Sequence, residues 1–226
     1  MSSKVYLFRH GETEWSKNGR HTGKSDLPLT PDGETRIRNS AQRLIGSDTL
    51  IRPKHIRQIF VSPRQRAIHT LQLLALSNTI AVEETEAISE WDYGDYEGLT
   101  SHEINIRCGK NWNVFRDGCP NGDTQESITV RVDELIGRIH KMQSEAEAIE
   151  QRHDVLIVAH GHILRAFAAR WIRDPVTSGT HLAYGAGGAG VLGYEHRNMD
   201  EPTIEVWNGK APKGQSMHDL MAQSLT

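Results

Sequence analysis

Several arginine and histidine side chains stand directly behind short apolar runs, a position in which they would meet a phosphate group. They are Arg9, His10, Arg64, His160, His162 and Arg165. An arginine fork donates paired hydrogen bonds that match phosphate oxygens, and a neutral imidazole can attack phosphorus and carry the phosphoryl group. No pair of aspartates accompanies the set to hold Mg²⁺, so the cations would supply the charge that a metal supplies elsewhere. The set predicts a metal-independent phosphate site that needs no cofactor.

Cleavage of a sugar phosphate also requires a proton for the leaving alkoxide, which a general acid must donate. A carboxylic acid in a partly dry site can donate it, and the resulting anion can then activate water. The segment 88–98 holds four candidate carboxyl groups among aromatic residues and glycines: Glu90, Asp92, Asp95 and Glu97. Glu90 is the best placed of them, at the start of the segment, but the pattern alone leaves the choice open.

The elements that must position these groups alternate between strands and helices. The predicted strands lie at 5–8, 59–61, 155–159, 191–194 and 203–207. Thr30-Pro31 and Ser62-Pro63 predict helix starts, with the hydroxyl as cap and the proline in the first turn. A further helix follows His162, and apolar spacing predicts a long helix over 128–139. The order predicts an α/β fold with a mostly parallel central sheet and helices on both faces, whose ligand lies beyond the carboxyl ends of the strands.

The helix predicted to begin at Pro63 would add its own contribution to the phosphate site. The first turn of a helix carries partial positive charge and free N–H groups. We therefore expect this helix to point its N-terminal end at the same anion as the arginines.

Composition predicts one soluble domain over residues 1–226. The chain is 37% hydrophobic with a net charge of -3, which argues against disorder and against a basic nucleic-acid-binding surface. No apolar run reaches the roughly 20 residues of a membrane span, and two cysteines cannot form a disulfide framework, so a cytoplasmic setting is expected. Residues 83–123 predict an irregular, cap-like excursion with at most short helices, and the tail after Gly209 is expected to fray.

The motifs together resemble the histidine phosphatase, or phosphoglycerate mutase-like, superfamily. RHGETEW at 9–15 is similar to its RHG-x-T-x-W signature, and SPRQRA at 62–67 with Thr70 is similar to its SPxxRAxxT segment. VAHG at 158–161 resembles its second histidine motif. Further segments around Trp15, Glu90 and Trp112 are most similar to the fungal sedoheptulose-1,7-bisphosphatase branch. The resemblance spans roughly residues 4–195 and implies a mostly parallel sheet of six strands with flanking helices.

The resemblance also implies a role for each matching residue. His10 would be the phosphorylated nucleophile, with Arg9, Arg64 and His160 as the phosphate pocket and Glu90 as the proton donor. The implied phosphate or substrate contacts are Ser16, Thr22, Gly23, Tyr93, Gly161 and Arg165. Ser16 stands where many mutases have asparagine and has a shorter reach. The chain also looks shorter than the bisphosphatase branch between Trp171 and Gly190, which leaves open whether the substrate is a sugar phosphate, a bisphosphate or a polyol phosphate.

Two other functions fit the same motifs. A phosphoglycerate mutase would share the chemistry, but its branch has an Arg-Arg pair and a proline-rich stretch after the general-acid segment, which we do not find here. A non-catalytic phosphate-binding regulator would be expected to have lost the nucleophile, the acid or an arginine, and all are present. The leading prediction is a phosphomonoesterase for a small phosphorylated sugar or polyol, with no nucleic acid or membrane partner and an oligomeric state that the sequence leaves open.

The remaining polar residues are less informative. Arg66 is predicted to be structural, and His162 is as consistent with packing as with function. Arg107, Lys110 and Arg116 would either reach a second phosphate or form a solvated face. Neither the spacing of His102, His181 and His196 nor that of Cys108 and Cys119 indicates a metal site.

Overall fold

The computed structural model describes residues 2–209, which form a six-stranded sheet with helices on both faces. The strands are β1 (Val5–Arg9), β2 (Ile56–Val61), β3 (Ala81–Glu84), β4 (Asp154–Ala159), β5 (Ala189–Tyr194) and β6 (Pro202–Gly209). Their order across the sheet is β3-β2-β4-β1-β5-β6. The first four strands in that order run parallel to one another. β5 runs antiparallel to both of its neighbours, β1 and β6. The predicted α/β class and the mostly parallel sheet are confirmed.

Seven α-helices connect or cover these strands within the described residues. They are α1 (Glu14–Lys17), α2 (Pro31–Leu44), α3 (Gln65–Leu73), α4 (Ser101–Cys108), α5 (Val114–Asp117), α6 (Gln125–Glu147) and α7 (Gly161–Trp171). The start of α2 is as predicted, because Thr30 accepts the N–H of Gly33 and Pro31 occupies the first turn. Short 3₁₀ segments lie at Pro53–His55, Glu86–Ile88, Gly94–Tyr96, Val176–His181 and Glu195–Arg197.

Two apolar layers hold the sheet between its helices. On β1, Leu7 points into the layer under α6 and α7, whereas Phe8 points into the layer under α2 and α3, as the alternation of a strand requires. All six residues of β4 are buried, as expected for a central strand covered on both faces. Burial of each such large apolar side chain stabilises the fold by about 1.5–3 kcal/mol. The layers therefore fix the strand ends from which the polar residues project.

Two predictions about local structure are wrong. The edge strand β3 was not expected, because it is short and its Val82 is largely exposed, so it carries no buried-strand pattern. Helix α3 begins at Gln65 rather than Pro63, since Arg64 still has extended backbone angles. The Gln65 N–H is taken by a carboxylate oxygen of Asp26 at 2.8 Å. This first-turn donor is thus not free for a phosphate.

The segment between β3 and α6 contains the predicted irregular excursion. Its regular structure is limited to the short helices α4 and α5 and two 3₁₀ turns. Aromatic residues from it, including Trp91, Trp112 and Phe115, pack into the core layer under α6 and α7. The predicted frayed tail after Gly209 lies outside the described residues. No helix among residues 2–209 has both the length and the apolar character needed to cross a membrane.

Candidate active site

The sheet order brings the carboxyl ends of β2, β4 and β1 side by side. A cavity of about 180 Å³ opens beside these ends. The residues that line it are Arg9, His10, Thr13, Ser16, Gly19, Arg20, His21, Thr22, Glu90, Tyr93, Gly161, His162, Arg165 and Tyr184. Strand ends and residues from the excursion therefore share one cavity, as expected for a site beyond the carboxyl edge of a parallel sheet.

His10 is almost fully buried, and among residues 2–209 only one of its ring nitrogens has a hydrogen-bond partner. Its Nδ1 lies 2.7 Å from the carbonyl oxygen of Gly11, to which it donates its proton. The lone pair is thereby left on Nε2. Burial, reinforced by the charges of Arg66 and Arg9, holds the pKa of His10 well below its usual range. His10 is therefore a neutral imidazole with a fixed tautomer, the form that a nucleophile requires.

His160 lies next to His10, with the ring centroids 5.0 Å apart. Its Nδ1 accepts a hydrogen bond from Nε of Arg66 at 3.1 Å, so its Nε2 carries the proton and donates to the hydroxyl of Ser62 at 2.7 Å. Burial and the charge of Arg66 hold the pKa of His160 well below its usual range. His160 is held behind His10 and is not among the residues that line the cavity.

Arg66 is predicted to be structural, and the structure shows which groups its guanidinium holds together. Its side chain is completely buried, and its guanidinium donates to the carbonyls of Thr22, Gly23 and Ser25 as well as to His160. One side chain thus ties the 22–25 loop to the second histidine. Ser62, predicted as a helix cap, accepts the N–H of Arg64 at 3.4 Å and also accepts a hydrogen bond from His160.

The two arginines predicted to hold phosphate differ in their surroundings. Arg9 donates through Nη1 to the carbonyl of Tyr184 and lies against Gly161, where an added Cβ would stand 3.0 Å from the guanidinium carbon. Arg64 contacts Glu86 at 3.3 Å and does not line the cavity. The Nε atoms of both arginines are buried with no hydrogen-bond partner among the described residues. Such orphaned cationic donors are what an anion would satisfy.

The carboxylate of Glu90 is fixed at the start of α7. It accepts hydrogen bonds from the backbone N–H groups of Trp91, His162 and Ile163 at 2.9–3.0 Å. Of the four carboxyl groups that the pattern left open, Glu90 lines the cavity. The other three are used in the excursion: Asp92 pairs with Lys24, Asp95 accepts from Asn121, and Glu97 accepts from the N–H groups of Gly23 and Ser25.

The predicted binding residues divide into two groups. Ser16, Thr22, Tyr93, Gly161 and Arg165 line the cavity. Gly23 does not, since its N–H donates to Glu97, and its role is steric because an added Cβ would lie 2.4 Å from the carbonyl oxygen of Trp91. The hydroxyl of Ser16 already donates to the carbonyl of Thr13 within the capping box of α1.

Some lining residues were missed from the sequence. They are Thr13, Gly19, Arg20, His21 and Tyr184. His21 immediately precedes the Thr22-Gly23 pair, so the motif could have pointed to it, whereas Tyr184 comes from an irregular segment before β5 without any motif. His162 does line the cavity.

The basic residues of the excursion do not reach this cavity. Lys110 and Arg116 both pair with Asp117, and Arg107 donates to the carbonyl of Asp95. The structure thus favours a solvated face over a second phosphate site there. Burial raises the pKa of the Cys119 thiol to about 12, in keeping with an inert side chain. Within residues 2–209, no three His, Cys, Asp or Glu side chains cluster as metal ligands would.

Comparison with known proteins agrees with this geometry. The model of the histidine phosphatase superfamily (branch 1) matches residues 5–210. The chain is 35% identical to sedoheptulose 1,7-bisphosphatase of Saccharomyces cerevisiae, over 91% of this chain and 93% of the relative. It is 36% identical to an acid phosphatase of Mycobacterium tuberculosis, over 85% and 87% of the two chains.

Two further relatives bear on fold and function. A 2,3-bisphosphoglycerate-dependent phosphoglycerate mutase of Cytophaga hutchinsonii is 33% identical over 72% of this chain and 74% of its own. A solved structure of a Mycobacterium tuberculosis open reading frame product superposes with a TM-score of 0.79 at 31% identity, covering 93% of this chain and 99% of the other. The family match over nearly the whole described chain, together with the phosphatase relatives, shows that this protein is a phosphoric monoester hydrolase of the histidine phosphatase superfamily, branch 1.

Proposed function

We propose that this enzyme hydrolyses a small sugar phosphate or bisphosphate through a phosphohistidine intermediate on His10, without a metal ion. The observation that carries the proposal is the neutral His10 ring, which commits its Nδ1 to the Gly11 carbonyl and lines the cavity together with Arg9 and Glu90. A buried imidazole with a committed Nδ1 and a free Nε2 suits nucleophilic attack. Arginine donors suit the phosphoryl oxygens.

The proposed reaction has two steps. In the first, Nε2 of His10 attacks phosphorus, the bond from phosphorus to the ester oxygen breaks, and Glu90 gives a proton to the leaving alkoxide. In the second, the Glu90 carboxylate takes a proton from water as the water oxygen attacks phosphorus, and the phosphorus–nitrogen bond breaks to release phosphate. Arg9, which lines the cavity, balances the phosphoryl charge in both steps, and Arg64, which does not line it, adds positive charge from the carboxyl end of β2. His160 and Arg66 hold the phosphate end of the site in place.

The proposed substrate class is supported by the volume of the cavity and by the activities for which two relatives are named. A cavity of about 180 Å³ suits a compact phosphorylated sugar or polyol. The yeast relative is named as a sedoheptulose 1,7-bisphosphatase, which favours a sugar bisphosphate. The mutase relative keeps phosphoglycerate mutase activity as a second candidate, because the two reactions share the phosphohistidine step.

We also propose a cellular compartment and a domain organisation for the enzyme. The thiols of Cys108 and Cys119 are free, which favours a reducing compartment, and we place the enzyme in the cytoplasm. One sheet joins early and late strands, which supports a single catalytic domain.

A phosphate-release screen tests the proposed function. The panel contains sugar monophosphates and bisphosphates, polyol phosphates and phosphoglycerates, each assayed with and without EDTA. We expect free phosphate from a sugar or polyol phosphate at a rate that EDTA does not change. Isomerised phosphoglycerate without phosphate release would favour the mutase, and loss of activity in EDTA with recovery on added Mg²⁺ would contradict the metal-independent mechanism.

A further inference from the structure

A short hydrogen bond joins two side chains of the candidate active site. The hydroxyl of Tyr93 lies 2.6 Å from Nδ1 of His162, and both side chains line the cavity. A phenol is a stronger hydrogen-bond donor than an imidazole N–H, and an imidazole nitrogen is a stronger acceptor than a phenol oxygen. The proton of this bond therefore belongs to Tyr93, and His162 carries its own proton on Nε2.

The surroundings hold both partners uncharged. Burial raises the pKa of Tyr93 well above its usual range and lowers the pKa of His162 well below its own. The His162 ring is fixed by edge contact with Phe115, at 5.3 Å between centroids, and by His21 at 5.7 Å. His21 also lies 4.8 Å from the Tyr93 ring, and burial lowers its pKa to about 4. The wall formed by His21, Tyr93 and His162 is thus neutral at physiological pH.

Two arginines line the same part of the cavity, but most of their donors are already used. Arg20 donates to the carbonyl of Gly98 and to the carboxylate of Glu103. Arg165 donates through Nε and Nη2 to the carbonyls of Gly179 and Thr180. Neither guanidinium therefore has a complete pair of N–H donors left for a ligand. Both therefore differ from Arg9, whose buried Nε has no hydrogen-bond partner among residues 2–209.

We propose that His162 is a positioning residue for substrate selection: by accepting the Tyr93 proton it turns the phenol oxygen into an acceptor for a hydroxyl group on the leaving group. The inference rests on the proposed phosphatase function and assigns recognition of the polyhydroxy leaving group to the pair formed by Tyr93 and His162. A leaving-group hydroxyl can donate to the lone pairs of Tyr93, whereas a carboxylate there would meet another acceptor and lose its hydration. A phosphorylated acid therefore gains no hydrogen bond from Tyr93 to its carboxylate.

The test compares two substrates across four variants of the full chain. Fructose 1,6-bisphosphate carries hydroxyl groups on its leaving group, and p-nitrophenyl phosphate carries none. His162→Leu and Tyr93→Phe each remove one partner of the bond, and the double variant removes both. His162→Asn is the conservative control, because its side-chain oxygen can stand near the position of Nδ1. Thermal melting of each variant checks that it is folded.

We expect His162→Leu to lower the ratio of kcat/KM for the sugar ester to that for the aryl ester by about tenfold, the loss that one neutral hydrogen bond typically causes. Tyr93→Phe should lower the ratio equally, the double variant should be no worse than Tyr93→Phe, and His162→Asn should recover most of it. Equal losses on both substrates, or additive losses in the double variant, would overturn the positioning role.

Assays of the wild-type protein on the two esters distinguish failure of this inference from failure of the proposed phosphatase function. Hydrolysis of the aryl ester with no preference for the sugar ester would overturn the inference and leave the phosphatase function intact. Release of phosphate from neither ester would contradict the proposed function itself.

Discussion

The two ends of the cavity are built in different ways. The phosphate end is lined by residues that follow β1 and β4, two adjacent strands whose positions are fixed by the two core layers, and Arg64 follows the neighbouring β2 without lining the cavity. The opposite end comes from irregular segments, the 18–23 loop and the excursion after β3, together with the first turns of α7. The first end includes Arg9, whose Nε has no hydrogen-bond partner among residues 2–209, whereas the second combines the neutral rings of His21 and His162 with Arg20 and Arg165, whose donors are mostly used within the protein.

This contrast separates chemistry from selectivity. A phosphoryl group makes the same demands in every ester, so its site can rest on the rigid edge of a sheet. The leaving group is what varies, and loops can change their residues without disturbing the sheet. Glu90 stands between the two ends, because it is held by the N-terminus of α7 and must protonate the leaving group.

Among the variants that test this comparison, Glu90→Gln is expected to lower kcat/KM the most. The amide cannot donate the proton that an alkoxide needs, so kcat/KM for the sugar ester should fall by about 10²–10⁴-fold. The p-nitrophenolate group leaves without such help, so its kcat/KM, which reports phosphoenzyme formation, should fall far less. Steady-state kinetics on both esters measure this, with the exposed Glu134→Gln as the matched control. Equal losses on the two esters would show that Glu90 is not the proton donor.

A smaller effect is expected on how the free energy of unfolding depends on pH, because both ends of the cavity hold neutral histidines. The pKa of His10 and of His162 is well below the ordinary value near 6.5, and that of His21 is about 4. The unfolded chain therefore binds more protons than the native state between about pH 6.5 and 4. The free energy of unfolding should be fully present above pH 6.5 and should fall as pH drops, by up to about 1.4 kcal/mol per pH unit for each such histidine.

Denaturant titrations at several pH values measure this slope. His21→Gln should make it shallower by up to about 1.4 kcal/mol per pH unit, whereas His102→Gln, at an exposed position, serves as the matched control. An unchanged slope in His21→Gln would mean that His21 is not held neutral, which would contradict the description of the rings at that end of the cavity.

The sequence predicts the phosphate end far better than the opposite end. Strand prediction from apolar runs places Arg9, His10 and His160 at one edge, because burial of β1 and β4 leaves a strong pattern. The exposed edge strand β3 leaves no such pattern. The pattern misplaces the start of α3, because Arg64 keeps extended backbone angles even though the Ser62 hydroxyl accepts its N–H in addition to the hydrogen bond from His160.

At the other end, tertiary packing decides which residues meet. His21 reaches the cavity because its ring lies against Tyr93 and Trp112, and no local pattern in the chain encodes those contacts. Likewise, the bond between Tyr93 and His162 joins residues 69 positions apart. Such pairs depend on how the excursion folds back over α7, which periodicity does not predict.

The most direct test of the account is to trap the phosphoenzyme. The full-length enzyme is mixed with substrate, quenched by denaturation at alkaline pH, where phosphohistidine survives, and digested for mass spectrometry. We predict one phosphoryl group on Nε2 of His10, and in a folded His10→Ala variant no phosphoenzyme and a loss of turnover of at least about 10⁴-fold. Phosphate on another residue, or turnover retained in His10→Ala, would contradict the account.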